Sequence, residues 1–335
     1  MSSKIYKVFD LHCDTISAIC ERRQQGQRAE LRQNHLKVDL EKLKDGHYGL
    51  QTFALFLDAG QEKDCFQKAK ELLRLFQGEM EKNKDQISQV ATYREIEENE
   101  KSGKLSALLS LEEGAIFQEL AEQLQWFREQ GVRIATFTWN YENLLGYPNR
   151  FYDPIQRKVW SEGDERGLKE RGIQELELME ALGIIPDVSH LSDGGFRDVA
   201  EHAKKPFIAT HSNSRSMAPN AARNLTDEMI RTLAEKGGIM GLNYCVSFVR
   251  PDWRPGQEGA RLDELAAQAE HIIKIGGEDC LGLGSDFDGI EEAPEMENAG
   301  GMQRLAEAME KAGLASRQIE KIFSGNVKRF LKENL

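Results

Sequence analysis

The 335 residues allow one large domain or two modest ones, and chains of ~300 residues bury roughly 75% of their unfolded surface, enough for a sizeable core. Apolar residues make up 40% and charged residues 30%, a soluble globular composition, and no run of about 18 apolar residues exists to span a bilayer. The formal net charge of −12 argues against a nucleic-acid or anionic-membrane surface, because phosphates are repelled.

The opening stretch, MSSKIYKVFDLHCD, has no apolar segment of the signal-peptide type. The five cysteines, Cys13, Cys20, Cys65, Cys245 and Cys280, are an odd set without paired spacing, which reads as free thiols in a reducing compartment. A cytoplasmic protein is the expectation.

Eight short apolar runs follow one another along the chain: 5–11, 49–58, 105–111, 132–138, 184–189, 206–211, 239–244 and 281–286. Amphipathic, Glu/Lys-rich stretches lie between them, with helical patterns at 62–83, 117–130, 167–182, 226–236 and 260–275. Near-continuous apolar strands alternating with helices predict a parallel sheet covered on both faces. Eight repeats in this length fit a closed (β/α)8 TIM barrel, one domain over residues 1–335, better than an open doubly wound sheet. No G-x-G-x-x-G follows the first run, so a dinucleotide site has no support. The connection 140–166, rich in aromatic, Asn, Gly and Pro residues, is long for a compact domain and is expected to serve the active site as a lid.

In such a barrel the chemistry sits at the C-terminal ends of the strands. The first run ends in His12-Cys13-Asp14, where alternation places His12 and Asp14 together and Cys13 away. A His and a carboxylate together suit Zn²⁺, although H-x-D alone is more often a polar surface turn. The third run ends in Glu112-Glu113, and one carboxylate of that pair could bridge two cations. The fifth ends in Asp187-Val188-Ser189-His190 and the sixth in Thr210-His211-Ser212. A lone His on an apolar run is usually a core residue; two at equivalent positions of consecutive runs, added to His12, point to metal. The eighth run ends in Gly284-Ser285-Asp286-Phe287-Asp288-Gly289, with Asp286 and Asp288 expected on one face. An acid beside a metal-activated water can take its proton and pass it to a leaving amine. Arg223, in the irregular stretch after His211, could grip a substrate carboxylate with its guanidinium fork.

Taken in order, H-C-D, L-E-E-G, D-V-S-H, T-H-S-N-S, R-N and G-S-D-F-D-G resemble the membrane (renal-type) dipeptidases of the amidohydrolase superfamily, over a stretch running from residue 8 almost to the C-terminus. The resemblance implies a barrel with two Zn²⁺ ions that hydrolyses dipeptides and tolerates a D-residue on the C-terminal side. By motif, it assigns His12 and Asp14 to the first zinc, Glu112 to the bridge, and His190 with His211 to the second zinc. It likewise implies Asp286 as the proton carrier and Arg223 as the holder of the substrate's terminal carboxylate. Two positions depart from the pattern. Glu113 stands where the family has Gly, and Trp139 stands where the animal enzymes have a substrate-contacting His. Trp139 is therefore expected to line the substrate pocket, and it keeps open a zinc amidase acting on N-acyl amino acids or another small amide. A non-catalytic barrel that only binds is the remaining alternative. The expected partner is a small peptide substrate, with no nucleic acid and no membrane; a homodimer is left open.

Overall fold

Each apolar run becomes a strand that meets a covering helix, and the pattern closes on itself. The computed structural model describes residues 4–150, 152–153, 158–159, 161–254, 256–291 and 293–335. The barrel strands are β1 Val8–Cys13, β2 Tyr48–Phe56, β3 Leu105–Glu112, β4 Val132–Thr136, β5 Ile185–Asp187, β6 Ile208–Ser212, β7 Ile239–Leu242 and β8 Leu281–Leu283. All neighbours pair in parallel, β2 joins β3, and β8 returns to β1 with Asp10 opposite Leu283, so the ring has no open seam. This is the (β/α)8 barrel expected from the alternation.

The helices form where apolar spacing and capping agree. Helix Cys65–Lys82 starts at Asp64, whose carboxylate takes the Gln67 amide at 3.0 Å, and it buries Ala69, Leu72, Leu73, Phe76 and Met80 at the i, i+3, i+4 spacing of one face. Among the elements not anticipated from the sequence, two sit beside β3. Strand Ile87–Val90 pairs the first half of β3, Leu105–Leu108, and β4 takes over that edge from Leu109 onward. With only four residues, ISQV, it is too short for a periodic signal. Helix Tyr93–Ser102, opened by a Thr92/Glu95 capping box, follows it.

Phe9, Leu11, Leu50, Leu108, Ile134, Ile185, Ile208 and Ile239 form one buried cluster with Val327, Phe330 and Leu331 of the C-terminal helix Asn326–Asn334. That helix plugs the N-terminal end of the barrel. Gly282 on β8 makes room for it, since a Cβ there would lie 2.8 Å from Val327. Chemistry is thereby left to the opposite mouth.

Strict alternation would send Leu11 and His12 to opposite faces of β1. Both nevertheless serve the interior, because the β1–β2 register slips between Asp10 and Cys13. At that irregularity the Asp10 carboxylate accepts the His12 amide at 3.2 Å and the Ser285 amide at 2.9 Å. One buried acid thus fastens the end of β1 to the segment after β8, as a bulge that re-aims a side chain.

The 140–166 connection is tied at both feet. The Asn143 amide donates to Glu113 Oε1 and to the Phe137 carbonyl, each at 2.8 Å, and Asn149 donates to Asp193 at 2.6 Å. Tyr152–Asp153 and Lys158–Val159 pair antiparallel between those feet. The rest of the expected lid, residues 151, 154–157 and 160, lies outside the described residues. No helix among the described residues is long and apolar enough to cross a membrane.

Candidate metal centre

The strand ends deliver the predicted side chains to one place. His12 closes β1, Asp14 follows it at the cap of helix Thr15–Gln24, and Glu112 closes β3. His190 lies three residues past β5, His211 is in β6, and Asp286 lies three residues past β8. All six are buried.

Glu112 is the hub. Its Oε2 stands 3.1 Å from His12 Nε2, while its Oε1 stands 3.0 Å from His190 Nε2 and 3.5 Å from His211 Nε2. The His190 and His211 Nε2 atoms are 2.9 Å apart. On the other side His12 Nε2 is 3.5 Å from Asp14 Oδ2 and 3.9 Å from Asp286 Oδ1. Two groups of metal-type donors result, His12 with Glu112 and His211, and His12 with Asp14 and Asp286, the donor atoms of each lying within 4.8 Å of one another.

These residues fit a bound metal. His12 Nε2, Glu112 Oε2 and Asp14 Oδ1 are buried without a hydrogen-bond partner, although buried polar groups are normally paired. Tetrahedral Zn²⁺ ligands about 2.0–2.1 Å from the ion stand ~3.3 Å from one another, which the spacings around Glu112 match. Gly289 supplies further room: a Cβ there would lie 2.0 Å from Asp14 Oδ2 and 2.6 Å from Asp286 Oδ1. The glycine that closes D-F-D-G is thus required by the two carboxylates beside it.

The charges are mutually adjusted. Burial alone would raise Glu112, but the His12 charge and the three imidazoles that face its carboxylate hold it well below the ordinary carboxylate value. Burial, reinforced by the Glu112 charge, pushes Asp14 well above its ordinary value. Burial also carries Asp286 up to about 6, against the pull of His12. His190 falls to about 4 through burial and the nearby Arg223 charge, which leaves it a neutral donor of the kind a metal takes. Glu113, His190 and Asp286 all have left-handed φ values, of 106°, 68° and 60°. Such backbone is costly for non-glycine residues and gathers at functional sites.

Other predicted residues fall into place around this hub. Arg223 is buried, donating to Ser212 Oγ at 2.8 Å and to the His211 carbonyl at 2.9 Å, with its Nε unpaired. Trp139 is half-buried at the mouth, its ring 4.9 Å from Phe56 and 6.3 Å from His190. Glu113 turns away from Glu112, its carboxylate accepting the Ala115 and Trp139 amides and the Asn143 side chain, so it organises the loop that carries Trp139. Asp288 does not join Asp286 as expected. Its carboxylate takes the Thr15 hydroxyl and the Lys37 amide, each at 2.7 Å. The period-2 argument fails there because 286–288 is a left-handed turn, with φ of 60° at Asp286 and 68° at Asp288.

Sequence reasoning missed four supporting residues. Asn243, just past β7, donates to Asp286 Oδ2 at 2.9 Å. Asp187 and Thr210 stand behind His211, and Asp10 secures the β1 end. Asn243 had a weak signal: its run, 239–244, is the one among the last four without a His or an acid. A cavity of about 950 Å³ opens beside this region, lined by Cys65, Phe66, Tyr141 and Leu144 among others. None of the six side chains gathered around Glu112 lines it.

Comparison with known proteins supports the same reading. The model of the membrane dipeptidase family, peptidase family M19, matches residues 3–334. An uncharacterized protein from the pqqA 5′ region of Klebsiella pneumoniae is 34% identical over 68% of this chain and 82% of its own length. An uncharacterized dipeptidase of Schizosaccharomyces pombe is 27% identical over 88% of this chain and 72% of its own. Among solved structures, dipeptidase AC, an M19 metallopeptidase, superposes with a TM-score of 0.88 at 26% identity, covering 99% of each chain. A Rhodobacter sphaeroides metallopeptidase liganded with a phosphinate mimic of L-Ala-D-Ala gives 0.86 at 25% identity, covering 99% of this chain and 100% of its own.

Proposed function

The chain belongs to the membrane dipeptidase family of metallopeptidases, and from that premise we propose that it cleaves dipeptides with two zinc ions held around Glu112. One observation carries this reading: the two oxygens of a single buried carboxylate face different partners, Oε2 toward His12 and Oε1 toward His190 and His211. His12 and Asp14 would hold one ion, His190 and His211 the other, with Glu112 between them. Zinc bound there supplies Lewis acidity to the scissile carbonyl and acidifies the attacking water.

The chain's own residues do the rest. Asp286, steadied by Asn243, takes the proton of the water and delivers it to the departing amine. Arg223 pairs with the substrate's terminal carboxylate and sets the scissile bond over the centre. Trp139, between Phe56 and His190, forms an apolar wall. The similarity to a structure that holds an L-Ala-D-Ala mimic supports tolerance of a D-residue on the C-terminal side. Trp139 also favours a second reading, a zinc amidase acting on N-acyl amino acids. The five free cysteines support a reducing compartment, the cytoplasm.

Protein loaded with zinc and dialysed is expected to retain about two divalent ions per chain, and His190→Ala to lose mainly one of them. It should hydrolyse members of an L-X-D-Y and L-X-L-Y dipeptide panel faster than matched N-acyl amino acids. Metal-free protein that nevertheless hydrolyses the panel at full rate sinks the zinc reading, and a preference for the N-acyl series installs the amidase.

Trp139→Ala should weaken bulky apolar dipeptides by roughly 1.5–3 kcal/mol, the value of burying a large side chain, and glycine-containing ones much less. A uniform loss across a size-graded series, with a lowered Tm, would instead make Trp139 a packing residue of its loop.

A further inference from the structure

His211 differs from the other two histidines of the centre in what stands behind it. The His12 and His190 Nδ1 atoms are buried with no hydrogen-bond partner among the described residues. His211 Nδ1, by contrast, lies 2.9 Å from the Thr210 hydroxyl. That hydroxyl has one hydrogen, and it donates it to Asp187 Oδ2. Thr210 Oγ1 can therefore only accept from the imidazole, which places the ring proton on Nδ1 and a lone pair on Nε2, the atom that faces Glu112 and His190.

Asp187 is itself fixed. Its Oδ1 accepts the Ser189 amide at 2.8 Å and the Thr210 amide at 3.1 Å, so the acid bridges the ends of β5 and β6. The Ser189 hydroxyl completes the brace by accepting the His211 amide at 3.2 Å. All of these side chains are buried, so water does not compete for the bonds. The order carboxylate, hydroxyl, imidazole runs one way only, because a carboxylate cannot donate.

We propose that Thr210, braced by Asp187, is the positioning residue that holds His211 as the tautomer whose Nε2 faces the metal centre, and that it thereby sets the zinc affinity of the His190–His211 side. The inference rests on the zinc-centre reading above. Groups that orient a metal-binding imidazole typically contribute 10–100-fold in affinity.

Zinc affinity is measured by chelator competition for wild type, Thr210→Val, Thr210→Ser and His211→Ala, with circular dichroism to check folding. Thr210→Val should weaken one of the two ions by roughly 10–100-fold, and Thr210→Ser, which keeps the hydroxyl, should restore wild-type affinity. In metal-free wild type above neutral pH, the ¹⁵N signals of the His211 ring, assigned by their loss in His211→Ala, should show the proton on Nδ1. This measurement stands even where Thr210→Val does not fold. A proton on Nε2 in wild type, or unaltered zinc affinity in folded Thr210→Val, overturns the proposal. Where His211→Ala loses an ion and Thr210→Val does not, only the positioning role fails; where His211→Ala keeps both ions, the zinc-centre reading fails with it.

Discussion

Asp286→Asn should lower kcat by roughly 10²–10⁴-fold, the usual contribution of general acid–base catalysis, with both ions retained. Asn keeps the size of the side chain and the contact with Asn243, but it cannot accept a proton and return it. The pH profile provides an independent check. Asp286 must be ionised to act as a base, so kcat/KM falls as pH drops through its pKa. Burial pushes that carboxyl up to about 6 in the metal-free chain, and neighbouring cations pull it down, so the acid limb should lie at or below about 6. The variant should lack that limb. Asp288 offers no substitute, since its oxygens are occupied by Thr15 and Lys37. Asp286 also lies within a donor group with His12 and Asp14, and metal analysis separates the roles: loss of an ion in parallel with kcat would make Asp286 a ligand. A variant with more than half of wild-type kcat removes Asp286 from the proton path.

The barrel was legible because its signal is repeated: each strand is a short apolar run, and most of the runs close on a His or an acid that an apolar strand has no reason to carry. His12, Glu112, His190, His211 and Asp286 all stand out in this way, and the fold brings them together, with approaches of 3.0 to 3.9 Å. What could not be read was whatever depends on departures from regular geometry. The slip at Asp10 that lets both Leu11 and His12 face inward leaves no trace in a period-2 pattern. The left-handed turn at 286–288, which separates Asp286 from Asp288, is equally invisible to it. Glu113 looked like a rival to Glu112, and only a φ of 106° and three donors from the following loop show why it turns away. The supporting polar residues were hidden for another reason. Asp187, Thr210 and Asn243 act on their neighbours across the ring, and adjacency across a barrel is a property of closure, not of spacing along the chain.

Arg223→Met should weaken dipeptides with a free C-terminal carboxylate by about 1.5–3 kcal/mol, the range for hydrogen bonds to a charged group, or ~10–150-fold in kcat/KM. Arg223 is only 3% exposed, and burial lowers its guanidinium to about 10, so it remains charged at neutral pH. Two of its nitrogens are engaged, with Ser212 Oγ and the His211 carbonyl, and its Nε is buried and unpaired. A guanidinium has five N–H donors in a planar fork, so capacity for a carboxylate is left over. Most of the loss should appear in KM, with a share in kcat to the extent that the grip places the scissile bond. C-terminally amidated dipeptides should already be poor substrates of the wild type, and the variant should hardly distinguish them from free ones. The competing role is structural. Because Arg223 holds the His211 carbonyl, its loss could loosen the strand end that carries the His211 imidazole. In that case free and amidated substrates would slow alike, zinc content would drop and Tm would fall. Selective loss on free carboxylates with zinc retained establishes the substrate grip, and equal wild-type rates on the free and amidated forms abolish it.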